Sequence, residues 1–195
     1  MSSLPAFKSS EEEIENSLMD QIMLHSKGNE NDEFLAVIIS SWLKRRGELP
    51  QFLGLDRSEF RSLTNFHFPG FYICASVRQQ DQLDLARVPE LNDLIQLFLQ
   101  NRAYKNQSEI WIAKILAAAC AGSNHLWQDL GLWNRQQLSN LISSNFPKLA
   151  NANSKNMKWK KFFYKQLCNA EGIYICRSPS CEVCVDYNNC FGSEE

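Results

Sequence analysis

Apolar residues recur along this chain at intervals of three and four, the spacing of one α-helical face. Ile14, Leu18, Ile22 and Leu24 form the first stripe, opened by a Ser10/Glu13 capping pair and closed near Lys27-Gly28. Asp32 opens a second helix over residues 34–46. Its Phe34, Leu35, Ile38, Ile39 and Trp42 cover most of the circumference, which predicts burial. After the tight Leu53-Gly54-Leu55 link, Asp56 and Glu59 cap a helix that carries Phe60 and Leu63 inward until Phe68-Pro69-Gly70. From Pro89 and Glu90, Leu91, Leu94, Ile95 and Phe98 share a face. Asn106 and Glu109 cap a nearly all-apolar helix at 110–121. A helix near 134–145 follows, then a Phe146-Pro147 stop. The last long helix is predicted over 154–169, with Met157, Phe162, Tyr164 and Leu167 inward. Residues 71–87 show no decisive period, and their start reads equally as strand or helix.

The pattern repeats. Shifting residues 36–55 by 77 positions gives seven identities in twenty: Ala36/Ala113, Ile38/Ile115, Leu49/Leu126, Gln51/Gln128, Leu53/Leu130, Gly54/Gly131 and Leu55/Leu132. One more residue in the offset aligns Arg57/Arg135, Leu63/Leu141, Phe68/Phe146 and Pro69/Pro147. Any two helix–link–helix units share some such residues, but a duplication explains the fixed offset better. The expected fold is all-α, a helical bundle with repeats at about 11–70 and 88–147. The helical domain spans 10–175, behind a flexible tail at 1–9 and ahead of a cysteine-bearing loop and tail at 176–195.

Composition narrows the classes. No apolar run approaches about 18–20 residues, so no membrane span is predicted. The N-terminus lacks a basic and apolar leader, which points to a cytoplasmic protein. A net charge of -2 argues against nucleic acid as a partner. The charge is uneven, however. Lys148, Lys155, Lys158, Lys160, Lys161, Lys165 and Arg177 face one acid, Glu171, in the stretch between Lys148 and Arg177.

That basic stretch leads into the densest chemistry of the chain, Cys176-x4-Cys181-x2-Cys184-x5-Cys190. Four thiolates in so short a run converge for a zinc ion, an iron–sulfur cluster or paired disulfides. An odd total of seven cysteines disfavours disulfides. Structural zinc usually takes two Cys-x2-4-Cys knuckles, and here one knuckle is flanked by single cysteines. The spacing favours an iron–sulfur cubane and leaves zinc open. Cys74, Cys120 and Cys168 lie in apolar or helical contexts and are not expected to be ligands. The basic helix is either a solvated face or an electrostatic collar. In the collar reading, Lys158, Lys160, Lys161, Lys165 and Arg177 offset an anionic cluster and draw an oxyanion.

Nucleotide fingerprints, H-E-x-x-H and G-x-S-x-G are absent, so no catalytic motif is found. His25 is expected to be exposed, and His67 and His125 to be hydrogen-bonded structural residues.

Residues Met157–Cys168, Ile175–Cys184 and Asn189–Gly192 together resemble the nitrogen-fixation NifQ family. His125-Leu-Trp-Gln-Asp-Leu-Gly-Leu132 and Pro89-Glu-Leu-Asn-Asp-Leu94 are similar to it as well. The resemblance is strong over about 125–192 and patchy before that. It implies an iron–sulfur protein, [4Fe-4S] or [3Fe-4S] in type, held by Cys176, Cys181, Cys184 and Cys190. The family supplies molybdenum for the iron–molybdenum cofactor of nitrogenase, and its implied partners are the NifEN scaffold, the nitrogenase iron protein and molybdate. It is a carrier rather than an enzyme. The competing readings are a zinc-stapled interaction module and a helix-hairpin-helix DNA glycosylase. The glycosylase lacks support because no Gly-rich phosphate-gripping hairpin occurs here.

Overall fold

The computed structural model describes residues 18–73, 85, 89–170, 187–192 and 194, and all regular structure among them is helical. The helices are α1 (18–23), α2 (Asp32–Leu43), α3 (Arg57–His67), α4 (Leu91–Gln100), α5 (Gln107–Cys120), α6 (Leu126–Asp129), α7 (Arg135–Asn145), α8 (Pro147–Ala152), α9 (Trp159–Ala170) and α10 (Tyr187–Phe191). A 3₁₀ turn covers Gln51–Gly54. The expected all-α bundle is what forms. No helix among the described residues is long and apolar enough to cross a membrane. The Ser10/Glu13 cap and residues 74–84 lie outside the described residues.

The core sits around α2 and α5. Leu35 to Ile39 of α2 and Trp111 to Cys120 of α5, apart from Lys114, are almost wholly enclosed. Each large aliphatic side chain among them contributes about 1.5–3 kcal/mol by leaving water. Phe98 of α4, Phe146 and Phe163 of α9 pack ring on ring, at centroid distances of 5.1 and 4.8 Å from Phe98. They tie the last long helix to the bundle.

Several boundaries differ from the sequence expectation, each for a local reason. Helix α2 ends at Leu43 because Arg45 takes φ 61° and the Arg46 N–H turns back to the Ser41 carbonyl at 2.9 Å. Pro147, expected as a stop, is the first residue of α8, where its missing N–H costs nothing. Helix α9 begins at Trp159 rather than 154. The Asn153 side chain bonds both the N–H and the carbonyl of Met157 at 2.8 Å, holding a turn there. Trp159 and Phe163 are buried as well as Met157 and Phe162, while Tyr164 and Leu167 are half-buried. His25 is not exposed. It is half-buried past the end of α1, donates from Nδ1 to the Pro69 carbonyl at 3.2 Å and packs on Phe71.

The sequence offset has a three-dimensional counterpart. Helices α3 and α7 start and end 78 residues apart, with cap residues Asp56 and Asn134 each accepting the N–H of the third helical residue. Both end in matching backbone, φ -134° and ψ 61° at Phe68, φ -135° and ψ 58° at Phe146. The link glycines cross over. A Cβ on Gly54 would overlap the Ala118 side chain, and a Cβ on Gly131 would overlap that of Ser41. Residues 41 and 118 are themselves 77 apart, so each link packs against the other unit's central helix.

Candidate metal centre

Cys190, the last of the four clustered cysteines, lies on α10 and is half-buried. Its carbonyl accepts the Lys158 N–H at 2.7 Å, and the Lys158 Nζ donates to the Asn188 carbonyl at 3.3 Å. Gly192 closes the turn onto the same Asn188 carbonyl at 2.9 Å, and a Cβ there would strike it. Phe191 packs against the core. The chain thus leaves α9 at its C-terminal end and is next described beside its first turn. Cys176, Cys181, Cys184, Arg177 and Cys74 lie outside the described residues.

Lys158 precedes α9, and Lys161 and Lys165 are exposed along it. Half-buried Cys168 continues the same helical stripe. Lys160 departs from the expected collar. Its ammonium turns inward to the fully buried Asp129 carboxylate and donates to the Gly122 carbonyl at 2.8 Å. Asp129 also accepts from the Asn124 side-chain amide at 3.1 Å. Gly122 must be glycine, because a Cβ would meet that carboxylate. Lys160 holds α9 to the α5–α6 corner and has no free charge to offer. Beside this pair, burial pushes the Cys120 thiol up to about 12, which favours the protonated thiol at neutral pH.

A second polar cluster bears out the expectation that His67 is a hydrogen-bonded structural residue, although its partners escaped sequence reasoning. His67 is wholly buried and its Nδ1 lies 2.5 Å from Asp32 Oδ1. The carboxylate must accept, so Nδ1 carries the proton. Nε2 then accepts from Ser108 Oγ at 3.0 Å, and that oxygen accepts from Asn31 Nδ2 at 3.1 Å. Asn31 and Asn145 exchange paired amide bonds of 2.8 Å, and the remaining Asn145 proton goes to the Leu141 carbonyl. Every donor is used. Asp32, His67 and Ser108 stand in the order of a hydrolase triad, but Ser108 is 5 % exposed and its oxygen is already engaged. The network is a clamp between the two units. The Ser108–His67 and Asn31–Asn145 bonds are counterparts at the 77–78 offset. Asn31 and Ser108 sit at or beside the starts of α2 and α5, but the partners lie up to 114 residues away, beyond any local signal.

Burial pulls the His67 imidazole below its ordinary value, with the Asp32 carboxylate opposing. For Asp32, burial pushes upward, but the bonds from Ser26, His67 and the Asn29 N–H win and hold it below the usual carboxylate range.

Glu194 is also buried, although its side chain ends in a carboxyl group. Its carboxylate lies 3.7 Å from Arg135 Nε and 3.9 Å from His125 Nδ1. The other end of the Arg135 fork donates at 3.0 Å to Asn156 and to the Met157 carbonyl, next to Lys158.

The NifQ family matches residues 34–192 of the chain, which include all four clustered cysteines. Protein NifQ of Azotobacter vinelandii is 46 % identical over 158 residues, covering 75 % of this chain and 80 % of that one. The NifQ homolog of Sinorhizobium fredii is 40 % identical over 142 residues, covering 73 % and 61 %. Protein NifQ of Rhodobacter capsulatus is 36 % identical over 151 residues, covering 76 % and 80 %. No solved structure matches the chain.

Proposed function

The chain belongs to the NifQ family, and from that membership, which implies a role in nitrogen fixation, we propose that it is an iron–sulfur molybdenum carrier. It donates molybdenum for the iron–molybdenum cofactor of nitrogenase. The observation that carries this reading is the complete Cys-x4-Cys-x2-Cys-x5-Cys run within the matched residues. Cys176, Cys181, Cys184 and Cys190 hold the cluster. The donor set suits it, since soft thiolates select iron with sulfide. Cys190 is half-buried on an anchored turn, whereas Cys120 is enclosed where burial favours the protonated thiol. When bound, the cluster supplies iron and sulfide sites for the cargo metal.

Lys158, Lys161, Lys165 and Arg177 offset the negative charge of cysteinyl iron–sulfur, which is costly in a partly desolvated site. They also raise the local concentration of incoming molybdate. Delivery is to the NifEN scaffold and the nitrogenase iron protein. The chain acts in the cytoplasm as a carrier without turnover. Elemental analysis of protein purified anaerobically from molybdate-supplied cells is the test. Iron and molybdenum together support the carrier, and iron without molybdenum in protein and growth conditions competent for nitrogen fixation contradicts it.

A further inference from the structure

The burial of Glu194 needs an explanation. A carboxylate side chain 5 % exposed is stabilised only by close charge-assisted hydrogen bonds. Among the described residues, its nearest basic side-chain nitrogens, Arg135 Nε and His125 Nδ1, stand at 3.7 and 3.9 Å, beyond hydrogen-bonding reach. Arg135 Nε is itself buried and has no hydrogen-bond partner among the described residues. A buried guanidinium N–H left unsatisfied is unfavourable, because it has given up its bonds to water for none in return. The guanidinium and the imidazole therefore face a shared position that the planar carboxylate fills poorly.

We propose that Arg135 and His125 form a binding site for a tetrahedral oxyanion, and that Glu194 occupies it as a displaceable internal stand-in. Arg135 is preset for this. One end of its fork is fixed by Asn156 and the Met157 carbonyl, which leaves Nε aimed at the incoming oxygen. A dianion with four oxygens can meet Nε and the imidazole together at hydrogen-bond distance, while the carboxylate engages neither closely. The site lies one residue from Lys158, whose N–H holds the Cys190 carbonyl. An anion bound at Arg135 is thus coupled through Met157 and Lys158 to the turn that carries the fourth cysteine. Glu194 falls beyond residues 34–192, so the stand-in is outside the stretch matched to the family. The use of this site in molybdenum handling rests on the proposed function, but anion binding itself does not.

An internal competitor lowers apparent affinity by the fraction of time it occupies the site. Neutralising it should tighten binding. Calorimetric titration with sodium molybdate at low ionic strength, competed by sulfate with chloride as control, tests this on the full chain. Glu194→Gln should bind molybdate at least about threefold more tightly than the parent, the size expected for removing one partly exposed ion pair. Arg135→Gln should lose binding, and Arg135→Lys should recover part of it. Because Arg135 also braces the turn before α9, the glutamate variant is the deciding one. Unchanged or weaker molybdate and sulfate binding in Glu194→Gln, whether or not its melting midpoint falls, overturns the site and leaves Glu194 a latch. Enhanced anion binding in protein that never accumulates molybdenum keeps the site and removes the carrier reading.

Discussion

The backbone N–H of Lys158 donates to the carbonyl of Cys190 at 2.7 Å, which fixes the last clustered cysteine to the start of the basic helix. The contact joins two features that sequence spacing could only place near one another. It gives the lysine stripe a defined origin at a candidate ligand.

The stripe should therefore act on the cargo more than on the cluster. Replacing Lys158, Lys161 and Lys165 with glutamine should lower molybdenum loading more than iron content. The difference should shrink as ionic strength rises and the Debye length falls below about 10 Å. Equal molybdenum loading of variant and parent at low salt would leave the stripe a merely solvated face.

Lys160 should behave differently from its neighbour. Asp129→Ala strips the partner from an ammonium that is mostly buried, and should destabilise the fold by about 3–5 kcal/mol. Lys160→Gln should also destabilise the fold, whereas Lys161→Gln, at an exposed position, should leave the unfolding free energy within about 0.5 kcal/mol of the parent. Denaturant unfolding of the three variants separates these outcomes.

The two link glycines offer a matched pair. At Gly54 and Gly131, φ is positive and a Cβ would overlap a side chain of the opposite unit. Alanine at either should cost about 1–3 kcal/mol from overpacking, in addition to about 1 kcal/mol of backbone strain. Gly28 has positive φ but nothing within 4 Å of a built Cβ, so alanine there should carry the backbone cost alone. Equal losses at all three positions would mean that the links do not pack as described.

These relations show where sequence was readable. Helices with strong apolar stripes and side-chain caps, such as α3 and α5, were legible because cap and period agree locally. The ends of α2 and α9 were not, because Arg45 in left-handed backbone and the Asn153 side-chain bonds set them. The cysteine run stood out as a dense motif. The inward turn of Lys160 did not, since its partner Asp129 lies 31 residues earlier on another helix.

The buried Asp32–His67 pair sets a pH dependence. Both groups titrate lower in the folded chain than at their ordinary values, so the unfolded chain binds more protons and stability falls as pH falls. The His67 contribution starts to be lost near its ordinary 6.5 and that of Asp32 near 3.8, each continuing down to its folded value. Removing the imidazole in His67→Gln should flatten the stability profile between about pH 7 and 5. Thermal unfolding across that range would show an unchanged slope if His67 were charged in the native state.

The central claim is that Cys176, Cys181, Cys184 and Cys190 hold one iron–sulfur cluster on an independently folded bundle. The visible absorption spectrum of anaerobically purified parent and of the four single serine variants, with helical circular dichroism on the same samples, tests it most directly. A brown parent with broad visible absorption, weakened in every serine variant while the helical signal is kept, is the predicted result. A colourless, zinc-loaded parent, or loss of the helical signal with the metal, would contradict it, because zinc is d¹⁰ and a structural staple would take the fold with it.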